Sequence, residues 1–167
     1  MSILPITRFP DPLLKQHTRA VERITQETRQ LVDRMIATMR KHPHCVGLAA
    51  PQVGSNLRLA VMDASNHPKA KSSHGLLVLI NPYLVMAGET IIQREGCLSI
   101  PDFTANVQRA SCVHLRANDR YGFFCEWHLE GFEAIVAQHE VDHLNGKLFL
   151  DRVANLATDV FKRRTYM

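Results

Sequence analysis

His139-Glu140-Val141-Asp142-His143 reads H-E-x-x-H. On a helix, four steps of about 100° bring the second histidine to within roughly 40° of the first, so both rings leave one face. Two ring nitrogens can then hold one cation. Glu140, one step round the helix, is suited to moving a proton rather than to ligating. Taken alone, the same five residues also describe a charged helix face with solvated histidines.

A catalytic metal site usually has three protein ligands and one open position. The familiar H-E-x-x-H peptidases find the third ligand downstream, either as a later Glu or as the last His of H-E-x-x-H-x-x-G-x-x-H. No Glu follows Glu140 here and no His follows His143; Gly146 keeps the longer spacing, but Phe149 stands at the ligand position. Both peptidase arrangements are excluded, so a third ligand must lie upstream. Cys97, in Glu95-Gly96-Cys97-Leu98-Ser99, is the best candidate, because a metal would hold its sulfur as thiolate. In isolation this cysteine also fits a small buried hydrophobe. Cys112 and Cys125 have histidines nearby in sequence (His114 and His128) but fall on predicted strands and read as packing residues. The four cysteines form no C-x-x-C pair, and no disulfide framework is expected.

A third segment is Cys45-Val46-Gly47-Leu48-Ala49-Ala50-Pro51-Gln52. Its small residues let backbone approach a substrate closely. The Gln52 amide can donate to a developing oxyanion, although the segment also reads as a plain tight connection.

The elements that must position these residues follow from periodicity. Thr25 caps a predicted helix running to about Arg40, with Leu31, Val32, Met35, Ile36 and Met39 as its apolar stripe. Leu57–Asp63 alternates like a strand, and Ala64–His74 reads as a polar surface loop. Leu76–Ile80 reads as a buried strand ended by Asn81-Pro82. Further short strands are expected at Glu89–Arg94, Val107–Arg116 and Phe123–Leu129, the last two joined as a hairpin through Asn118–Gly122. Glu130–Asn145 is the second helix, with Phe132, Ile135, Val136 and Leu144 inward and Gly146 just past its end. Strands followed by a site-bearing helix indicate an α+β domain.

At 167 residues the chain is expected to be one domain, 1–167. A net charge of +4 without a dense Lys/Arg block gives no basis for direct nucleic-acid recognition. Apolar runs are too short to span a bilayer, and the first residues show no targeting pattern. A cytoplasmic location is therefore expected.

The three segments together resemble the signature motifs of the peptide deformylases, G-x-G-x-A-A-x-Q, E-G-C-x-S and H-E-x-x-H, in that order. The second and third match fully, and the likeness runs from about residue 6 to 153. In the first, Cys45 stands where the motif has Gly. The resemblance implies an α+β fold with small antiparallel or mixed sheets around a central C-terminal helix carrying H-E-x-x-H, plus an N-terminal helix. It implies hydrolytic removal of the formyl group from the N-terminal formyl-methionine of nascent chains. It also implies a divalent ion on Cys97, His139 and His143, with Fe²⁺ physiological and Zn²⁺, Ni²⁺ or Co²⁺ accepted. Glu140 would shuttle the proton, and Gln52 and the Leu98 N–H would face the oxyanion. Val46, Gly47, Phe132, Ile135 and Val136 would line the substrate site. Asp142 is expected to pair with Arg109. The implied partners are N-formylmethionyl peptides and, transiently, the ribosome. Two rival readings are a metal-dependent peptidase or amidase, and a silent relative that only holds metal or ligand.

Overall fold

The computed structural model describes residues 1–164. Its first long helix, α1 (Gln26–Lys41), starts where Thr25 and Thr28 cap one another, each hydroxyl accepting from the other's backbone N–H at 3.2 Å. Val32, Met35, Ile36 and Met39 are buried on one side, against Leu48, Leu59, Val61 and Ile80. That contact sets α1 as an outer layer on the strands that lead to the site.

Six strands pair antiparallel in a continuous path: β1 (Gly47–Ala49), β2 (Leu59–Met62), β3 (Leu77–Cys97), β4 (Ile100–Asn118) and β5 (Phe124–Glu130), with β6 (Val160–Lys162) added on β4. The two short strands expected at 76–80 and 89–94 are one strand of 21 residues. Asn81-Pro82 does not end it, because Asn81 takes a left-handed conformation (φ 53°) and the register shifts between Ile80 and Tyr83. The Asn81 side chain is held by Val21, accepting from its N–H at 2.8 Å and donating to its C=O at 2.9 Å. The missing N–H of Pro82 therefore falls in a bulge, where no ladder bond is lost. A second shift lies between Ala87 and Thr90, and a third between Gly96 and Cys97. These shifts divide the long β3–β4 ribbon into differently facing segments.

The tightest turn of that ribbon is Leu98-Ser99, between Cys97 and its partner Ile100. Cys97 is thus fixed at a hairpin end. The other hairpin is closed by Asp119, whose carboxylate accepts from the N–H groups of Tyr121 and Phe123.

The second long helix, α2 (Gly131–Leu144), packs against strands β1 to β5. Leu77, Leu79, Val113, Leu115 and Leu129 pack against its Ala134, Val136, Ala137 and Leu144. A single inward stripe of Phe132, Ile135, Val136 and Leu144 is expected, but Gln138, Glu140, Val141, Asp142 and His143 are buried as well, while Phe132 is only half-buried. The reason is a third cluster, Leu14, Ile100, Ala105, Val107, Leu148 and Phe149, which closes over the other side together with Cys97. The helix ends at Asn145, followed by Gly146 at φ 73°. A Cβ at Gly146 would sit 2.7 Å from the Lys15 carbonyl oxygen, so the turn admits only glycine. Among the described residues, no helix is long and apolar enough to cross a membrane.

Candidate metal centre

The end of β3 and one face of α2 bring Cys97, His139 and His143 together. The Cys97 Sγ lies 3.4 Å from His143 Nε2, which is 3.3 Å from His139 Nε2. A tetrahedral cation with donors at ~2.0–2.3 Å would have edges of about 3.3–3.6 Å between them. Two of the three donor–donor separations therefore match the edges of such a polyhedron, the third is within 4.8 Å, and the donor set fits a divalent cation. Phe149, at the position where another peptidase type has a histidine ligand, is buried and stacks beside the His139 ring, centroids 6.3 Å apart.

Charge behind the ligands fixes their chemistry. His139 Nδ1 lies 2.8 Å from Glu95 Oε1, which leaves its Nε2 pointing at the cluster as a lone-pair donor. Arg109 grips Glu95 with two N–H groups, at 2.7 and 2.8 Å, and donates a third to Asp142 at 2.6 Å. Arg152 closes the row on Asp142, at 2.7 and 3.1 Å. Burial pushes the Glu95 carboxyl up, but the bonds from Arg109 and His139 outweigh it and hold the group at about 2. Burial also pushes the Cys97 thiol up, and the two histidines beside it draw it well below its usual value. That is the polarity of a thiolate ligand. His143 has no such support: its Nδ1 is buried without a hydrogen-bond partner among the described residues.

Glu140 points from α2 towards β1. It is 3% exposed, and its Oε2 has no hydrogen-bond partner among the described residues. Burial raises its carboxyl to about 7, with His139 and His143 pulling the other way. A Cβ on Gly47 would lie 2.3 Å from Glu140 Oε1. The glycine therefore makes room for this carboxylate, a use distinct from the close substrate approach that the sequence suggested.

Gln52 is anchored in a short 3-10 turn, Ala50–Val53. Its Oε1 accepts from Ala49 N–H at 3.0 Å, which turns Nε2 towards Cys97 Sγ and Ser99 Oγ, both at 3.3 Å. The amide donor thus faces the cluster. Cys45 stands outside it. Its thiol donates to the Gly47 carbonyl at 3.2 Å, and burial, aided by Glu140, pushes it up to about 12.

These residues line a cleft of about 290 Å³. Val46, Gly47, Leu98, Phe132, Ile135 and Val136 form its walls, and His44, His67, Lys69, Arg94 and Arg163 also border it. His67 was missed in the sequence because the loop 64–74 reads as polar. Its ring stacks on Phe132, with centroids 4.2 Å apart. The same loop is tied to α2 by buried Glu133, which accepts from Ser73 Oγ and the His74 N–H. Cys125 sits half-buried beside Ala117 on the core side of the hairpin, but Cys112 does not pack there. It stands half-buried on the opposite face of the hairpin, close to Gly88.

The family profile for polypeptide deformylase matches residues 3–159. The chain belongs to the polypeptide deformylase family. The deformylase of Syntrophobacter fumaroxidans is 42% identical over 164 residues, covering 98% of this chain and 94% of that protein. A Synechococcus elongatus peptide deformylase, solved in complex with actinonin, superposes with a TM-score of 0.83 at 40% identity, over 92% of this chain and 80% of that one. An Acinetobacter baumannii deformylase bound to Met-Ala-Ser gives 0.84 at 34% identity, over 91% and 99%. Deformylases are metal-dependent hydrolases that remove the N-formyl group from newly made peptides, and this chain has that function. The α+β architecture is theirs too, and the peptidase and silent-relative readings give way to it.

Proposed function

We propose that Cys97, His139 and His143 hold the family's divalent ion, and that Glu140, Gln52 and the Leu98 N–H carry out deformylation around it. The support is the set of 3.3 and 3.4 Å separations between donor atoms, with an unpartnered carboxylate oxygen alongside. When bound, the cation supplies Lewis acidity, which brings the pKa of a water towards ~7.

Glu140 accepts the water's proton. Buried beside the proposed ligands with one oxygen unpartnered among the described residues, this carboxylate is placed to take that proton and return it to the departing amide nitrogen. As the formyl carbon becomes tetrahedral, negative charge collects on its oxygen. Gln52 Nε2, aimed by its bond from Ala49, and the Leu98 N–H in the hairpin turn donate to that oxygen. Collapse expels the free amine and leaves formate. Val46, Phe132, Ile135 and Val136 take the methionine side chain, with His67 stacked behind Phe132. The peptide lies extended beside Gly47 in a strand-addition mode.

Fe²⁺ is the proposed physiological ion, and the sulfur–nitrogen set also accepts Zn²⁺, Ni²⁺ or Co²⁺. Activity with Fe²⁺ is expected to decay in air, through oxidation at Cys97, while the Ni²⁺ protein persists. We take residues 1–167 to act as one domain in the cytoplasm, meeting N-formylmethionyl chains close to the ribosome.

The deciding experiment compares formyl-Met-Ala-Ser with acetyl-Met-Ala-Ser under anaerobic conditions. Formate should be released from the first, while the second and its internal peptide bonds stay intact. Equal cleavage of both, or internal cleavage, would return the chain to a general amidase or peptidase.

A further inference from the structure

A second group of metal-ligating side chains lies on the solvent face of the β4–β5 hairpin, apart from the cleft. Cys112 and His114 are two residues apart on β4, and His128 and Glu130 two apart on β5. The register sets Cys112 opposite Glu130 and His114 opposite His128. Strand alternation then puts all four on one face, while Val113, Leu115 and Leu129 fill the core face.

The donor atoms are close enough to converge on one cation by small side-chain rotations. One donor atom each from Cys112, His128 and Glu130 lie within 4.8 Å of one another, and His128 Nε2 is 3.0 Å from Glu130 Oε1. The His114 ring stands 4.7 Å from that of His128, centroid to centroid. Glu130 occupies the N-cap of α2 yet makes no capping bond, and turns to His128 instead. The Cys112 sulfur has only a contact of 3.9 Å from the Ser111 hydroxyl.

We propose that Cys112, His128 and Glu130, with His114 as fourth donor, form a surface site for a borderline-soft divalent cation such as Zn²⁺. Thiolate, imidazole and carboxylate are the ligand types Zn²⁺ takes in tetrahedral sites. On binding, the Cys112 thiol gives its proton to solvent. The resulting thiolate and the Glu130 carboxylate balance the two positive charges beside the N-terminus of α2, where an uncompensated cation would be disfavoured. A bound ion would join β4 to the first residue before α2, and so brace the entry of the helix that bears His139.

The test uses the full chain with its cleft ion in place, dialysed against Zn²⁺, with total metal per chain counted by elemental analysis. Two ions per chain are expected for the wild type. Cys112→Ser and His128→Ala, both on the solvent face, should each reduce the count to one and leave formate release unchanged. Cys97→Ser should also hold one, and that ion should disappear when Cys112→Ser is added. A wild-type count of one, or a count of two that neither Cys112→Ser nor His128→Ala lowers, overturns the proposal. Neither result touches the assignment of the cleft, which the Cys97→Ser count reads separately.

Discussion

The chain assembles Cys and His side chains twice, once in the cleft and once on the β4–β5 face, and the two places differ in what stands behind them. In the cleft, Cys97 and His143 are 6% and 1% exposed, and Glu95, Arg109, Asp142 and Arg152 form an ion-pair row that begins at His139. On the hairpin, the side chains of His128 and Glu130 are 47% and 64% exposed, with no such buried row behind them among the described residues. Ligand type is common to both, but orientation and dielectric are not. A buried charge strengthens every interaction it makes, and it is costly unless paired. The row behind His139 meets that requirement and fixes which ring nitrogen faces Cys97 and His143. The surface group keeps water as its competitor.

The largest expected effect comes from Glu140, which has no counterpart on the hairpin. Glu140→Ala should keep its metal and lose turnover by ~10²–10⁴-fold, measured as formate release against metal content. Near-normal turnover would mean that the carboxylate does not carry the proton. Gln52→Leu comes next, with kcat down by ~10²–10³-fold and KM little changed, since the amide faces charge present mainly in the transition state. A rise in KM alone would make Gln52 a ground-state contact.

Glu95→Gln probes the row itself. Removing a hydrogen-bonded carboxylate behind a metal-binding histidine typically costs ~10–100-fold in metal affinity, so this variant should release its cleft ion to a chelator that the wild type resists. No change in chelator resistance would remove the distinction between the two groups. The same carboxylate predicts a pH response. Its folded pKa, about 2, lies below the ordinary 4.5. Its contribution to stability is therefore complete above ~pH 4.5 and is lost as pH falls towards 2. Denaturant midpoints of the wild type should converge on those of Glu95→Gln over that range, and a constant gap would contradict the assignment.

The smallest effect concerns the mouth. Lys69, Arg94 and Arg163 border the cleft, and none makes a salt bridge among the described residues. Formylated peptides with an acidic residue after Met-Ala should gain several-fold in kcat/KM over basic ones at low salt. The preference should fade as the screening length shrinks below ~10 Å. A preference that ignores salt would point to shape instead.

What could be read from the sequence was local. Thr25, the spacing of His139 and His143, and Gly146 each report on the chain within a turn or two, and periodicity placed both long helices. The long ribbon was not legible as such, because Asn81-Pro82 looks like a stop until Val21, 60 residues away, is seen holding the bulge. A separation of 44 residues likewise hides the service Glu95 gives to His139, although both stand inside quoted motifs. At Gly47 the sequence suggests room for substrate, and the room it also makes for Glu140 shows only in the fold. The Cys112 face was passed over because alternation alone does not say which side of a hairpin meets solvent.

The account rests on Cys97 as the sulfur ligand of the cleft ion. Its most direct test is the absorption spectrum of the Co²⁺-loaded chain carrying Cys112→Ser, which leaves the cleft as the one cysteine-containing group of metal-ligating side chains among the described residues. A thiolate-to-cobalt charge-transfer band should be present there and vanish when Cys97→Ser is added. A band that survives the second substitution, or that never forms, would contradict the assignment.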